Sequence, residues 1–294
     1  MKTTNKYKTV GGLELRADVY SVPGDVARPV ILWLHGGALI AGHRADISDH
    51  EVQLFVGAGY VVVSADYRLA PVTKLPGILD DVRDACRWVR AEGPGLLGAD
   101  PNRLAVMGAS AGGYLTLMTG FCVEPRPRAL VSVAGYGDVA GAWYSRPDPF
   151  YRRQPLVSEQ SARAALGEAE TVGSPGWKDS RGQFYLYCRQ QGRWPQEVAG
   201  HDPDTEPRAF DPLCPVRSVT ADYAPTLLIN GDQDTDVPYE QSVMMAAELA
   251  RAGVEHEFIT ICGGGHCSLG RDGAEVAATY ARITAFLARH LGRP

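Results

Sequence analysis

The sequence predicts an α/β fold with a mostly parallel central sheet flanked by helices. Short apolar runs, each long enough for one buried strand, alternate along the chain with helical patterns. These runs begin at Val30, Tyr60, Leu104, Leu130 and Pro225. Parallel strands need long crossover connections, and alternating strands and helices supply them. The chain opens differently, because residues 7–20 read as two strands joined at Gly11-Gly12.

Composition narrows the class of protein. A length of 294 residues fits one large domain with a sizeable core. The net charge of −5 supplies no basic stripe for nucleic acid, and no apolar run approaches the roughly 20 residues of a membrane helix. The first ten residues lack the apolar centre of a signal peptide, and the six cysteines show no metal-ligand spacing. We therefore expect a cytoplasmic protein with reduced thiols that binds neither nucleic acid nor membrane.

The most informative motif surrounds Ser110. Residues 108–112 read Gly-Ala-Ser-Ala-Gly and follow the apolar run that begins at Leu104. A serine between two glycines at a strand-to-helix junction is the nucleophile-elbow pattern, in which a sharp turn exposes the hydroxyl above the sheet. In a chain with 33 glycines this string can also arise by chance, so it needs partners.

Partners of the required types follow Ser110 in the order serine, acid, histidine. The strand at Pro225 is followed by Asp232, Asp234 and Asp236, and the next apolar run is followed by His266. Both loops would lie at the carboxyl edge of a parallel sheet, where ligands of open α/β sheets bind. The spacing alone leaves the three aspartates as alternatives. A calcium loop is excluded, because valines occupy its sixth and twelfth positions.

A further glycine motif follows the strand that begins at Val30. It reads His-Gly-Gly-Ala over residues 35–38. A tetrahedral intermediate needs backbone N–H donors aimed at its oxyanion, and glycines let the backbone approach closely. We expect the donors to be Gly37, Ala38 and Ala111, the residue after the serine. His35 precedes the nucleophile, and we expect it to support the loop.

Together these strings resemble the esterases and lipases of the α/β-hydrolase superfamily, near the hormone-sensitive-lipase-like, small carboxylesterase and prolyl-oligopeptidase-like groups. The string Asp-Tyr-Arg-Leu-Ala-Pro at residues 66–71 is typical of the first group. The resemblance covers about residues 8–136 and 219–292 and implies the α/β-hydrolase fold. Residues 231–238 are similar to the Gly-x-x-Asp-x-x-Val-Pro acid loop, which selects Asp234 as the acid and leaves Asp236 a distant second. The departures are Ala38, Val72 and Cys267, where the family usually has glycine, glutamate and glycine.

One segment breaks the alternation of strands and helices. We interpret residues 137–218 as an inserted cap between two parts of the core, 1–136 and 219–294. Two helices are expected in it, over 161–170 and 182–193. Residues 137–194 of this segment hold nine aromatic residues, which either pack the insertion onto the core or line an apolar pocket: Trp143, Tyr144, Phe150, Tyr151, Trp177, Phe184, Tyr185, Tyr187 and Trp194.

These observations predict a serine hydrolase with the triad Ser110, Asp234 and His266 and no metal or organic cofactor. Its substrates are expected to be small to medium carboxylic esters that are partly apolar or aromatic. The same triad also allows cleavage of amides, peptides, lactones or carbon–carbon bonds, or a non-hydrolytic reaction. A binding protein that has lost the chemistry is a third alternative. The sequence leaves the oligomeric state open, with a homodimer among the states it allows.

Overall fold

The computed structural model describes residues 1–24, 27–167, 169–173 and 181–292. In this part of the chain eight strands form one sheet in the order β1-β2-β4-β3-β5-β6-β7-β8. The strands are β1 (Lys2–Val10), β2 (Leu13–Tyr20), β3 (Arg28–Leu34), β4 (Val61–Ala65), β5 (Ala99–Ala109), β6 (Ala129–Val133), β7 (Thr226–Gly231) and β8 (His256–Ile261). From β4 to β8 every neighbouring pair is parallel, whereas β1 and β2 join antiparallel. The predicted fold class is confirmed.

Helices supply the crossovers between the parallel strands. The helices of the described residues are α1 (Asp49–Gly57), α2 (Leu75–Leu97), α3 (Ala111–Cys122), α4 (Ala142–Ser145), α5 (Glu159–Ala164), α6 (Arg181–Gln191), α7 (Trp194–Val198), α8 (Glu240–Arg251) and α9 (Gly273–Leu291). α4 to α7 all belong to the connection between β6 and β7, which we call the β6–β7 segment (residues 134–225). A single crossover needs only one helix, so this connection carries additional structure.

The core lies in two layers, one on each face of the sheet. Successive side chains of a strand point to opposite faces. On β3, Leu32 therefore packs in the layer that contains α2 and α3, whereas Ile31 packs in the layer that contains α1 and α9. Burying one such aliphatic side chain contributes about 1.5–3 kcal/mol. Both faces of the central strands are apolar because both are covered. The parallel pairing from β4 to β8 places the carboxyl ends of these strands at one edge of the sheet.

Three helices differ from the pattern that the sequence predicts. The sequence predicts a helix from about Leu75 to Arg90, but α2 continues to Leu97, because Gly93 and Leu97 are buried in its last turns. α5 ends at Ala164 and does not reach Glu170. α6, by contrast, agrees with the prediction and covers most of the span 182–193. For the helix after the acid loop the sequence predicts the apolar pattern Val243, Met244, Ala247, Leu249 and Ala250. In α8 the buried apolar residues are Met245 and Leu249, whereas Val243 and Met244 are exposed.

The described helices include none that is long and apolar enough to cross a membrane. All six cysteines are free, and Cys86, Cys188 and Cys214 are buried. For these three thiols burial raises the pKa above the ordinary cysteine value. Their thiols therefore stay protonated.

Candidate active site

Ser110 lies at the junction between the end of β5 and the first residue of α3. Its backbone has φ 56° and ψ −120°, a conformation that non-glycine residues rarely adopt and that costs on the order of 1–3 kcal/mol. The N–H of Ser110 donates to the carbonyl of Val133 on the neighbouring strand at 2.8 Å. The strained turn is thus held by the adjacent strand, and it places the serine at the carboxyl end of β5.

The glycines beside Ser110 are required by close backbone contacts. A methyl group on Gly112 would lie 2.0 Å from the carbonyl oxygen of Leu34, and one on Gly108 would lie 2.5 Å from the Gly112 carbonyl carbon. On the next residue, Gly113, a methyl group would lie 2.9 Å from the Cα of Gly135. α3 therefore begins in direct contact with the ends of β3 and β6. Only glycine fits at these positions, which gives the sequence motif its physical reason.

The predicted oxyanion loop follows β3 and lies next to the serine. A Cβ placed on Gly36 would be 3.4 Å from the Cβ of Ser110. The loop turns back sharply through three residues with positive φ: Gly37 (106°), Ala38 (55°) and Leu39 (62°). Over the ranges that the structure describes, the N–H groups of Gly37, Ala38 and Ala111 donate to no protein acceptor. Three backbone donors without a protein partner therefore remain available in the two segments that flank the serine.

His35 is buried beneath this loop. Its Nδ1 donates to the carbonyl of Gly36 at 2.8 Å, and its ring stacks on Tyr67 with centroids 4.0 Å apart. The Tyr67 hydroxyl donates to the His35 carbonyl at 2.7 Å. Burial lowers the pKa of His35 to about 3, so the ring stays neutral. These contacts give His35 and Tyr67 a supporting place under the loop.

The acid loop and the histidine loop follow the neighbouring strands β7 and β8. A Cβ on Gly231 would lie 2.1 Å from the Gly264 carbonyl oxygen, so the two loops touch directly. The N–H of Gln233 donates to the same carbonyl at 2.9 Å. Close packing at the strand ends brings the two loops together.

Asp234 and His266 are in contact. Oδ2 of Asp234 lies 2.8 Å from Nδ1 of His266. The other carboxylate oxygen accepts from the N–H groups of Asp236 and Val237 at 2.8 and 2.9 Å. The Asp234 side chain is fully buried. Three donors compensate its charge and hold it, and it in turn fixes the orientation of the imidazole.

The other edge of His266 faces a second carboxylate. Nε2 lies 3.3 Å from Oδ2 of Asp236. Among the described residues, Ser110 makes no side-chain hydrogen bond with His266. Burial lowers the pKa of His266, but the hydrogen bond to Asp234 and the nearby Cys267 and Asp236 outweigh it and raise the pKa above the ordinary value. The structure therefore brings the predicted acid and histidine together, and it places Nε2 of His266 against the carboxylate of Asp236.

Asp236 is held by the β6–β7 segment. Its Oδ1 accepts from the hydroxyl of Tyr151 at 2.7 Å, from the hydroxyl of Tyr185, and from Nη1 of Arg189 at 2.7 Å. Burial and the Asp236 carboxylate raise the pKa of both tyrosines, so both phenols keep the proton that they donate. The network joins α6 to the acid loop.

Arg189 is the centre of this network. Its side chain is 1% exposed and pairs with both Asp148 and Asp236. Four aromatic rings lie within 5.8 Å of its guanidinium carbon, namely Trp143, Tyr144, Tyr151 and Tyr185. Two carboxylates and four rings stabilise a buried cation that would otherwise be costly.

The β6–β7 segment also reaches the oxyanion loop. Nε1 of Trp194 donates to the Ala38 carbonyl at 3.0 Å, and Arg181 donates to the carbonyls of Ile40 and Ala70. Of the nine aromatic residues, four are buried as packing groups: Tyr144, Phe184, Tyr187 and Trp194. Trp177 lies outside the described residues. The segment thus contacts the site on both sides.

The aspartates of the acid loop have separate partners. Asp232 accepts from the N–H of Gly263 at 2.7 Å, while Asp234 and Asp236 have the partners given above. Within the described ranges, no group of three or more acidic, cysteine or histidine side chains is arranged to hold a metal ion. The carboxylates are therefore committed to protein donors.

The sequence missed Asp236 as a contact of His266 and Arg189 as the centre of the network. It named Tyr151 and Tyr185 only among the aromatic residues of the insertion, without their contact with Asp236. From the sequence, Asp236 is only an alternative to Asp234 as the acid. The available signal was its position two residues after the acid. For Arg189 the signal was its place four residues after Tyr185 on a predicted helix, where the two side chains share a face.

Comparisons with known proteins agree with this architecture. Residues 31–269 match the family model of the alpha/beta hydrolase fold. A thermophilic esterase from Thermogutta terrifontis superposes with a TM-score of 0.69 at 20% identity, covering 98% of this chain and 92% of that one. An alpha/beta hydrolase superfamily protein from Enterococcus faecalis gives 0.74 at 21% identity, covering 98% and 99%. At these identities the likeness concerns the fold.

The relatives found by sequence are polyketide synthases, which are much longer proteins than this chain. The chain is 29% identical over 296 residues to a non-reducing polyketide synthase from Acremonium egyptiacum. It is 30% identical over 300 residues to one from Stachybotrys bisbyi. The matches cover 90% and 88% of this chain but only 14% and 13% of the synthases. A fold and a site of this kind define an α/β hydrolase. The chain belongs to the α/β-hydrolase family.

Proposed function

We propose that this protein is a serine hydrolase that cleaves carboxylic esters, with Ser110 as nucleophile, His266 as base and Asp234 as the acid that orients it. The observation that carries the proposal is the 2.8 Å contact between Asp234 and His266 at the sheet edge where the strained Ser110 turn also lies. A serine beside an oriented histidine is the arrangement that activates a hydroxyl near neutral pH.

In the proposed reaction, Nε2 of His266 takes the Ser110 proton as Oγ attacks the ester carbonyl. The N–H groups of Gly37, Ala38 and Ala111 bind the oxyanion, and each such donor contributes about 3 kcal/mol to transition-state stabilisation. His266 then protonates the leaving alcohol, which departs and leaves an acyl group on Ser110. Water attacks this acyl-enzyme with His266 again as base, and the acid is released. No step in this sequence calls for a metal or organic cofactor.

We further propose that residues 137–218 act as a cap that sets substrate size. Support comes from the two contacts of this segment with the site, Trp194 on the oxyanion loop and Arg189 on the acid loop. Trp143, Tyr151 and Tyr185 are partly buried beside Arg189 and offer aromatic surface. We therefore expect small to medium esters with an apolar or aromatic acyl group.

A second candidate is cleavage of an acyl thioester, with a polyketide as the acyl group. The similarity to a portion of non-reducing polyketide synthases favours it. The chemistry is the same up to the leaving group, because a thiol replaces the alcohol. Amides, lactones and carbon–carbon bonds remain further alternatives for the same triad.

The test is a substrate panel that holds the acyl group constant. One aromatic acid is supplied as its p-nitrophenyl ester, its N-acetylcysteamine thioester and its aryl amide, and kcat/KM is measured for wild type and Ser110→Ala. We expect ester turnover and fluorophosphonate labelling, both lost in Ser110→Ala. A thioester preference of tenfold or more would favour the second candidate. Tight ligand binding with no turnover and no labelling would instead indicate a binding protein and refute both candidates.

A further inference from the structure

Both ring nitrogens of His266 face carboxylates. Asp234 lies on Nδ1 at 2.8 Å and Asp236 on Nε2 at 3.3 Å. In the proposed reaction only the first carboxylate has a role. Nε2 is the atom that takes the proton of the serine, so a group that occupies this edge affects the same step.

Asp236 is not loosely placed. One carboxylate oxygen is fixed by Tyr151, Tyr185 and Arg189, which leaves the other directed toward His266. The side chain of Asp236 is 20% exposed and that of His266 is 27% exposed, so solvent only partly screens the pair. A carboxylate held by three donors is a fixed charge beside the imidazole.

The charged and titratable groups around the pair can be named by element. The acid loop contributes Asp234 and Asp236, and the histidine loop contributes Cys267. The β6–β7 segment contributes Arg189 and the two tyrosines on the far side of Asp236. Asp148 pairs with Nη2 of Arg189 and partly neutralises the guanidinium charge. The electrostatic potential at the imidazole is negative, because the Asp236 carboxylate contacts His266 directly and the Arg189 cation lies on the far side of that carboxylate.

We propose that Asp236 is a positioning residue for His266, which holds the Nε2 edge of the imidazole in the free enzyme and yields it to Ser110 in the reactive complex. This inference rests on the proposed function. The β6–β7 segment, which includes the proposed cap, holds Asp236 in this position through Tyr151, Tyr185 and Arg189. Before His266 accepts the serine proton, the imidazolium that faces Asp236 loses its Nε2 proton to solvent water, and the Asp236 carboxylate is unchanged.

The test compares Asp236→Asn with Asp232→Asn. The first substitution keeps the shape of the side chain, and its amide oxygen can still accept from Tyr151, Tyr185 and Arg189. It removes the negative charge that faces Nε2 of His266. The second removes a charge from the same loop at a residue that contacts Gly263 and makes no ion pair with His266. We expect the acid limb of kcat/KM to move down by about 1 pH unit or more in Asp236→Asn and to stay in place in Asp232→Asn. An unchanged limb in Asp236→Asn would overturn the proposal.

A readout that needs no turnover separates this inference from the proposed function. The imidazole signals of His266, assigned by their loss in His266→Gln, are titrated by NMR in wild type and Asp236→Asn. We expect the midpoint to fall in the variant even if no substrate is turned over. Equal midpoints would refute the role of Asp236, whereas loss of Ser110-dependent turnover in wild type would refute the hydrolase.

The conservative variant Asp236→Glu guards against loss of folding in Asp236→Asn. It keeps a carboxylate in the loop, so we expect its acid limb and its NMR midpoint to lie nearer to wild type than those of Asp236→Asn. A midpoint that falls equally in both variants would show that the charge at this position does not act on His266.

Discussion

Gly112, in the first turn of α3, lies directly against the carbonyl oxygen of Leu34 at the end of β3: a methyl group on Gly112 would stand 2.0 Å from that oxygen. Both partners are backbone, so neither can rotate away. Gly112→Ala is expected to destabilise the fold by several kcal/mol or to prevent folding, since overpacking against a side chain alone costs about 1–3 kcal/mol.

Gly95 offers the matched control. It lies in α2, and a methyl group there would meet no atom of the described residues within 4 Å. Gly95→Ala is expected to stabilise the protein by about 0.5–1 kcal/mol, because alanine restricts the unfolded chain and favours helix. Urea unfolding of both variants measures the contrast. Equal stability of Gly112→Ala and wild type would show that the turn at Ser110 is not packed as described.

The buried hydroxyl of Tyr67 predicts a stability effect without a change in shape. It donates to the His35 carbonyl at 2.7 Å, so Tyr67→Phe leaves that buried carbonyl without its partner and is expected to cost about 1–3 kcal/mol. Tyr60 is equally buried, but its hydroxyl has no hydrogen-bond partner among the described residues. Tyr60→Phe is therefore expected to be neutral or stabilising. Thermal unfolding of the two variants tests this, and a Tyr60→Phe loss as large as that of Tyr67→Phe would contradict it.

The contact between Asp234 and His266 predicts a large loss of rate in Asp234→Asn. The substitution keeps the size of the side chain but replaces the charged acceptor of the Nδ1–H hydrogen bond with a neutral amide. The amide N–H can donate to Nδ1 instead, which favours the tautomer with the proton on Nε2. For a comparable acid in a serine protease triad, kcat falls by about 10⁴-fold. We expect a loss of that order in Asp234→Asn, with KM little changed, when p-nitrophenyl ester hydrolysis is followed at pH 7. Activity within tenfold of wild type would remove Asp234 from the proposed triad.

The raised pKa of His266 predicts where activity falls on the acid side. A raised pKa means that the ring keeps its proton to higher pH, and only the neutral ring takes the serine proton. The acid limb of kcat/KM is therefore expected above about pH 6.5, the ordinary histidine value. A pH profile in buffers of constant ionic strength measures it. A limb at or below pH 6.5 would contradict the arrangement of carboxylates around His266.

The same shift affects stability with a definite sign. Because the folded-state pKa of His266 lies above its unfolded value, its ion pairs stabilise the fold fully below about pH 6.5. This contribution is lost as pH rises through the folded pKa. The difference in unfolding free energy between wild type and His266→Gln should therefore shrink with rising pH. A difference that grows with pH would reverse the expected sign.

Much of the fold could be predicted because its signals are local. The runs at Val30 and Leu104 are buried strands in the structure, and the glycines at 108 and 112 mark a turn whose crowding requires them. The positions of Asp234 and His266 follow from the same logic, since loops after neighbouring parallel strands meet at one edge of the sheet. The end of α2 differs from the predicted one because Gly93 and Leu97 are buried against the rest of the fold, and the local apolar pattern does not show this.

The sequence by itself determined the order of the strands and helices, the turn at Ser110 and the residues available for its chemistry. Only the tertiary structure decided what surrounds them. Tyr151 reaches Asp236 across 85 residues of sequence, and Trp194 reaches Ala38 across 156. The periodicity of strands and helices comes from residues that are close in the chain and leaves a local pattern, whereas contacts between distant segments depend on how whole layers pack. Asp236 therefore appears as one loop aspartate among three in the sequence, and as the carboxylate on Nε2 of His266 in the fold.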